Sequence, residues 1–505
     1  MPKKKTKADK IEKVYPKLKG ISDIRRFFYR NEDPVYFVSA TNFNLLGADE
    51  WIKGFKFITY IECFDGLHPN VFSPKPIPHE EFGSIEDINN YLLEHKEVVE
   101  FIRKRGKGGN NGKVMFLMFD ERTEDLARKL GLEVCFPSAK LRTYLDNKVV
   151  TSRVAQKAGV PCVPNILTKV ISFEDLLQQC QAAGLGTDLV IQTPYGDSGH
   201  TTFFIKSEED FNKHKDEILS EDEVKVMKRI NCRGSAIEAC VTRHGTVVAP
   251  LMTELVGFKE LTPYRGGWCG NEIYATCFTK EIRSKARKYT EQFGEQLRKE
   301  GYKGYFELDF LIDEDSGTLY LGELNPRVTG ASSITNHAVF ALADAPLFLF
   351  HLLEWMDVDY ELNVSAINKR WAKGANIDDW GQLIIKHTHN SLGLVKKTPR
   401  SGIYKMDENG EISFSRMDTH RRAVETENEA FFLRILKEDN YYYEGADLGI
   451  LVMRGRVMTD TNKLTWRAEQ WINKISERFE FLPIESMNTS ESTYVNEEIG
   501  GFKMM

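Results

Sequence analysis

A chain of 505 residues, 41% apolar, 11% aromatic and 28% charged, carries enough apolar material for a sizeable core, which excludes wholesale disorder. Its 68 basic residues fall short of its 74 acidic ones, giving a net charge of −6, so the basic surplus of a general nucleic-acid binder is missing. No apolar run reaches the roughly 18 residues of a membrane span, and the opening MPKKKTKADKIEK has no apolar stretch behind its charges, unlike a secretory signal.

The expected setting is therefore cytoplasmic. The eight cysteines are scattered without a C-x-x-C pair and read as reduced, packed thiols rather than zinc ligands. Residues 1–30 read as a flexible basic arm. From 31 to 140, strands at 35–40, 55–63, 114–119 and 132–136 alternate with helical stretches at 85–103 and 123–130. That alternation predicts an open parallel α/β sheet, with ligands at its polar strand ends near Asn42 and Asp120. A helix over 146–158 then stops at Gly159-Val160-Pro161. Strands 189–192 and 203–205 flank the polar loop TPYGDSGHTT, and strands 223–227, 236–242 and 246–251 follow. Residues 264–271 read as a Gly-rich loop, 280–300 as a long helix, and 305–312 with 319–324 as a hairpin. An apolar helical region leads to Trp355. Beyond it come strands at 383–387 and 449–453, helices at 427–437 and 464–479, and a polar, frayed tail over 484–505.

The hairpin carries the sharpest chemistry. Side chains alternate along a strand, so Glu307 and Asp309 share a face, as do Glu323 and Asn325, and the hairpin brings the two sets together. Carboxylates gathered on one sheet face call for a hard divalent ion with oxygen ligands. Mg²⁺ suits such a face, and Arg327 just beyond the carboxylates is a candidate grip on phosphate or carboxylate. The loop between Gln192 and Phe203, with Gly196, Ser198, Gly199, His200 and Thr201, can turn backbone N–H groups toward phosphate oxygens; a plain polar hairpin tip has much the same composition.

Taken together, LDNKVVTSRVAQKAGVPCVPN, the glycine loop and GYKGYFELDFLID…LYLGELNPR resemble the ATP-grasp superfamily, in its biotin-carboxylase-like branch, over roughly residues 30–480. The resemblance implies an α/β and α+β multidomain chain: an N-terminal open parallel α/β (pre-ATP-grasp) domain at 31–140, ATP-grasp lobes at 141–360 with a lid at about 160–228, and a biotin-carboxylase-like α+β domain at 361–483. It also implies ATP between the lobes. Lys148 resembles the lysine that reaches the nucleotide phosphates, the Gly196–Thr202 loop the lid, Met227, Lys228, Arg229 and Ile230 the hinge at the adenine edge, and Asp309, Glu323 and Asn325 the positions that hold Mg²⁺, with Mn²⁺ as a substitute. Arg327 matches the arginine that steadies an acyl phosphate, and Arg265 is a candidate clamp on a substrate carboxylate or a solvated loop arginine. Three positions depart from the pattern. Gln192 stands where the second phosphate lysine is expected, and Ala331 stands where a biotin carboxylase carries its glutamate base, while His387 lies near the place of the biotin-facing arginine.

The implied activity is ligation of a small-molecule carboxylate, activated as an acyl phosphate, to an amine or similar nucleophile, with release of ADP and phosphate. The rivals are a bicarbonate-dependent carboxylase and a nucleotide-binding regulator without catalysis. No nucleic-acid or membrane partner is expected, and a homodimer is the assembly the branch suggests.

Overall fold

The computed structural model describes residues 16–75, 82–106, 110–196 and 201–484. Val35–Ser39, a VYFVS run buried on both faces, lies at the centre of an all-parallel five-stranded sheet. Phe55–Thr59 and Val71–Phe72 extend it on one side, Gly112–Phe116 and Leu132–Val134 on the other. An unbroken apolar run suits a strand covered by helices on both faces. The helix expected over 85–103 is two helices, Ile85–Glu94 and Lys96–Arg105. His95 between them is extended, and its Nδ1 accepts from Glu97 N at 3.2 Å, so a cap interrupts an otherwise continuous apolar pattern.

Part of the expected N-terminal arm is ordered. Leu18–Lys19 pairs in parallel with Tyr360–Glu361, and the helix Ile21–Arg30 buries Ile24, Phe27 and Phe28 at helical spacing. The stretch expected as a lid contains a four-stranded antiparallel sheet, here called the lid sheet, in the order Asn165–Thr168, Val224–Lys228, Leu189–Gln192, Thr202–Ile205. Its own core packs Leu176, Phe203, Phe211 and Val226.

An eleven-stranded sheet forms the body. It runs from Leu319–Asn325 and Gly304–Asp313 through Cys232–Thr242, Met252–Val256 and Trp268–Ile273 to Trp380–Lys386 and Asp447–Arg454. Trp268–Ile273 pairs with Trp380–Lys386, so the units expected at 141–360 and 361–483 share one sheet. Two expectations fail here. Residues 268–273 of the expected loop are a strand, in which Gly270 has φ +144° and a Cβ would meet Gln382 O at 2.0 Å; glycine here serves close strand packing rather than a loop. The expected helix at 427–437 is the buried strand Glu429–Arg434, because a short apolar run such as AFFL has no period that tells strand from helix.

All eight cysteines are free thiols, with Cys232 exposed and Cys162 half-buried. No helix among the described residues is long and apolar enough to cross a membrane. Where the sheet enters its C-terminal half, Lys386 Nζ meets Asp447 Oδ1 at 2.5 Å, with side chains only 6% and 2% exposed. Removing one partner strands a buried charge. Asp447→Ala is therefore expected to cost about 3–5 kcal/mol in urea unfolding, several-fold more than the loss of an exposed ion pair.

Candidate active site

The hairpin Gly304–Asp313/Leu319–Asn325 sets Glu307 opposite Asn325 and Asp309 opposite Glu323, with a bulge after Asp309. Leu308, Phe310 and Leu324 point the other way into the core, and that alternation aims the polar set at one face. Asn325 Nδ2 donates to Asp309 Oδ2 at 3.1 Å, while the buried Asp309 Oδ1 has no hydrogen-bond partner. Burial and then the Glu323 charge push the Asp309 carboxyl up to about 7. Glu254, on the strand Met252–Val256 that Cys232–Thr242 separates from the hairpin, is raised well above the carboxylate range by burial and by Asp309 and Glu323.

Behind these acids lies a buried polar network, of which Glu307 and Thr329 reach the cavity wall. Glu238 sits directly across from Glu307 in the sheet, a pairing of like groups that burial makes costly. Burial raises both carboxyls, and neighbouring hydroxyls complete them. Glu238 accepts from Tyr305 Oη at 2.7 Å, Thr329 Oγ1 at 3.1 Å and Ser332 Oγ at 2.5 Å, and Thr329 Oγ1 also bonds Glu307.

Lys148 begins the helix Lys148–Ala158, whose Asn147 cap accepts from Val149 N and Val150 N. Its buried ammonium donates to Gly196 O at 2.5 Å and pairs with Glu323 Oε1 at 3.1 Å, joining the base of the lid to the acid hairpin. Thr201 packs against Gly196 across the stem of the lid loop, and Ser198, Gly199 and His200 lie outside the described residues. Gln192 Nε2 donates to Thr202 Oγ1 at 3.2 Å. Directly opposite Gln192 in the lid sheet stands Lys225, so both side chains share a face. Lys225 is 1% exposed, donates to Gly322 O at 3.2 Å, and has its pKa lowered by burial first, with the Lys148 charge adding to it. Sequence reading missed Lys225. The signal available was one lysine amid the apolar run Val224, Val226 and Met227.

At the expected hinge, Lys228 and Arg229 are exposed, and their N–H groups bond Pro164 O and Asp188 O. Ile230, Val163, Val190 and Met227 form a small apolar cluster with Leu311 and Tyr320 between lid and body.

The acid hairpin, the strand Met252–Val256 and the Tyr195–Gly196 stem line a cavity of about 480 Å³, while Lys148, Gln192, Lys225, Lys228, Arg229 and Ile230 are not in its lining. Asp309, Glu323, Asn325, Arg327, Glu254 and Ala331 all line it. Arg327 is 7% exposed, and its Nε lacks a hydrogen-bond partner. Arg265 is exposed and absent from the cavity lining; its neighbours Gly266 and Trp268 reach the wall instead. The second arginine of the lining, beside Arg327, is Arg142, from the helix Ala139–Asp146, which sequence reading did not single out. Trp268 both walls the cavity and packs on Gly330, where a Cβ would come within 2.3 Å of the ring. His387 is not in the lining; it packs against Tyr442 and Phe481, and burial pulls it down to about 4.

No protein-family model matches the chain. In solved structures, the biotin carboxylase domain dimer of the Hydrogenobacter thermophilus 2-oxoglutarate carboxylase, with MgADP and bicarbonate, covers 94% of this chain and 100% of its own at TM-score 0.58 and 11% identity. The chain has the ATP-grasp fold of the biotin-carboxylase type. The biotin carboxylase of Campylobacter jejuni matches at TM-score 0.56 and 12% identity, over 90% of this chain and 92% of its own. The N5-carboxyaminoimidazole synthase of Aspergillus clavatus, with ADP and 5-aminoimidazole ribonucleotide, matches at 0.52 and 13%, over 84% and 94%. A curated relative, the [butirosin acyl-carrier protein]--L-glutamate ligase of Niallia circulans, is 20% identical over 309 residues, which is 56% of this chain and 71% of that one. The ATP-grasp expectation for the fold is thus met.

Proposed function

We propose that this protein is an ATP-dependent ligase that activates a small-molecule carboxylate as an acyl phosphate and transfers the acyl group to an amine or similar nucleophile. The observation that carries the reading is the cavity in which Asp309, Glu323, Asn325 and Arg327 meet the Lys148 and Gly196 end of the lid. The curated relative's L-glutamate ligation supports a carboxylate substrate.

The residues suit a nucleotide-borne Mg²⁺. Among the described residues no three His, Cys, Asp or Glu side chains converge as a ready-made metal cage. Magnesium of this kind commonly takes one or two carboxylates together with phosphate oxygens, so Asp309, Glu323 and Asn325 would suffice, and the unpartnered Asp309 Oδ1 is free to serve. When bound, the ion would offset negative charge on the transferring phosphoryl group.

The chain's own groups supply the rest. The apolar cluster of Val190, Met227, Ile230 and Leu311 suits an adenine ring between lid and body. Lys148 and Lys225 draw the phosphates toward the acid hairpin, and Arg327 orients the substrate anion. No side-chain nucleophile is needed, because positioning and fixed positive charge do the work. A bicarbonate-dependent carboxylase fits less well: Ala331 lies in the cavity wall with no proton-accepting group, and His387 lies elsewhere.

Purified protein with Mg-ATP and a panel of paired acids and amines is expected to release phosphate only with the right pair, and mass spectrometry should find the ligated product. ATP binding without phosphate release across a broad panel would replace this reading with that of a nucleotide-binding regulator.

A further inference from the structure

The cavity has a second cationic wall. Arg142 is 4% exposed; its Nη2 donates to Phe119 O at 2.6 Å, and its guanidinium lies 5.2 Å from the Phe119 ring centroid. Its Nε and Nη1 have no hydrogen-bond partner. Glu86 and Asp146 approach only to 3.7 and 4.0 Å, so they balance its charge without filling its donors. A buried guanidinium with unfilled donors costs free energy unless a ligand completes it. Arg327, on the same cavity, carries its own buried, unpartnered Nε. Two such arginines provide for two separate anionic groups.

We propose that the acid substrate carries a second carboxylate and that Arg142 binds it, while Arg327 and the acid hairpin receive the carboxylate that is activated. The proposal rests on the ligase reading for the role of the first carboxylate. Glu86 and Asp146 select for a singly charged group at Arg142, since both would repel a dianionic phosphate more strongly. Charge-assisted bonds to a planar guanidinium suit a carboxylate in this setting.

The test is calorimetric titration of the full chain with Mg-ADP present, using glutarate against butyrate and L-glutamate against L-glutamine. The dicarboxylate of each pair is expected to bind at least about tenfold more tightly than its partner. Arg142→Met should bring that ratio to about one, and Arg142→Lys should keep part of it. A merely structural role would weaken both members of a pair equally and leave the ratio standing. Thermal melts check folding, and should Arg142→Met fail to fold, the ratio in Arg142→Lys decides. Equal binding within pairs, no binding of either member, or a ratio untouched by substitution overturns the proposal. Binding through Arg142 in a protein that never releases phosphate would uphold this inference and overturn the ligase reading, so the two failures are distinguishable.

Discussion

Asp309→Asn is expected to abolish turnover and, at pH 8, to raise the melting temperature of the metal-free protein. The loss should be on the order of 10³-fold in kcat, because the carboxylate acts where charge develops during phosphoryl transfer. The gain in stability follows from the carboxyl's surroundings. Burial and the Glu323 charge raise it to about 7, against about 3.9 in an unfolded chain. The folded state therefore holds this proton more tightly. Its stabilising contribution is full below about pH 4 and is lost as pH rises through about 7. Asparagine stays neutral throughout and removes that slope, while Asn325 keeps an oxygen to bond. Magnesium needs the ionised form, so its apparent affinity in the wild type should strengthen as pH rises through about 7. Calorimetric melts from pH 5 to 9, with and without Mg-ADP, read both effects. Unchanged turnover, or a variant melt that follows the wild type at every pH, would remove Asp309 from the metal site.

The acid hairpin could be read from sequence because strand alternation turns spacing into a shared face, and a short connection leaves one partner for each strand. Asp309 opposite Glu323 is the outcome. The fold resemblance was legible through contiguous motifs such as AGVPCVP and ELNPR. What escaped depends on pairing between distant segments. Lys225 acquires meaning only when the lid sheet sets it across from Gln192, and Glu254 only when its strand lies beside the hairpin's neighbours. Arg142 acquires meaning only when its guanidinium lies over Phe119, from a different element, and faces the cavity. Arg265, chosen because the resembled branch places acceptor-binding residues in the loop before the long helix, is exposed, because the following residues from Trp268 turn into the central sheet and carry the indole to the cavity instead. The helix expected at 427–437 failed for a different reason: the apolar run that forms the buried strand Glu429–Arg434 is too short to carry a period.

Lys225→Met is expected to lower kcat/KM for ATP by about 10²-fold while leaving the protein folded. Methionine fills the apolar space along the lysine stem and deletes an ammonium that is 1% exposed and already depressed by burial, so stability should hold or rise. The loss belongs to the phosphates if Lys225 supplies the charge missing at Gln192, and the sheet register makes that claim testable by transposition. Gln192→Lys in the Lys225→Met background returns an ammonium to the same face from the opposite strand, and should recover most of the lost kcat/KM. The same Gln192→Lys change alone sets two ammonium groups directly across from each other, and should lower the melting temperature without raising activity. Steady-state kinetics with ATP varied at saturating acid, beside thermal melts of all three variants, separates these outcomes. A twofold or smaller loss in Lys225→Met, or a folded double variant without recovery, would mean that Lys148 and the ion hold the phosphates without Lys225.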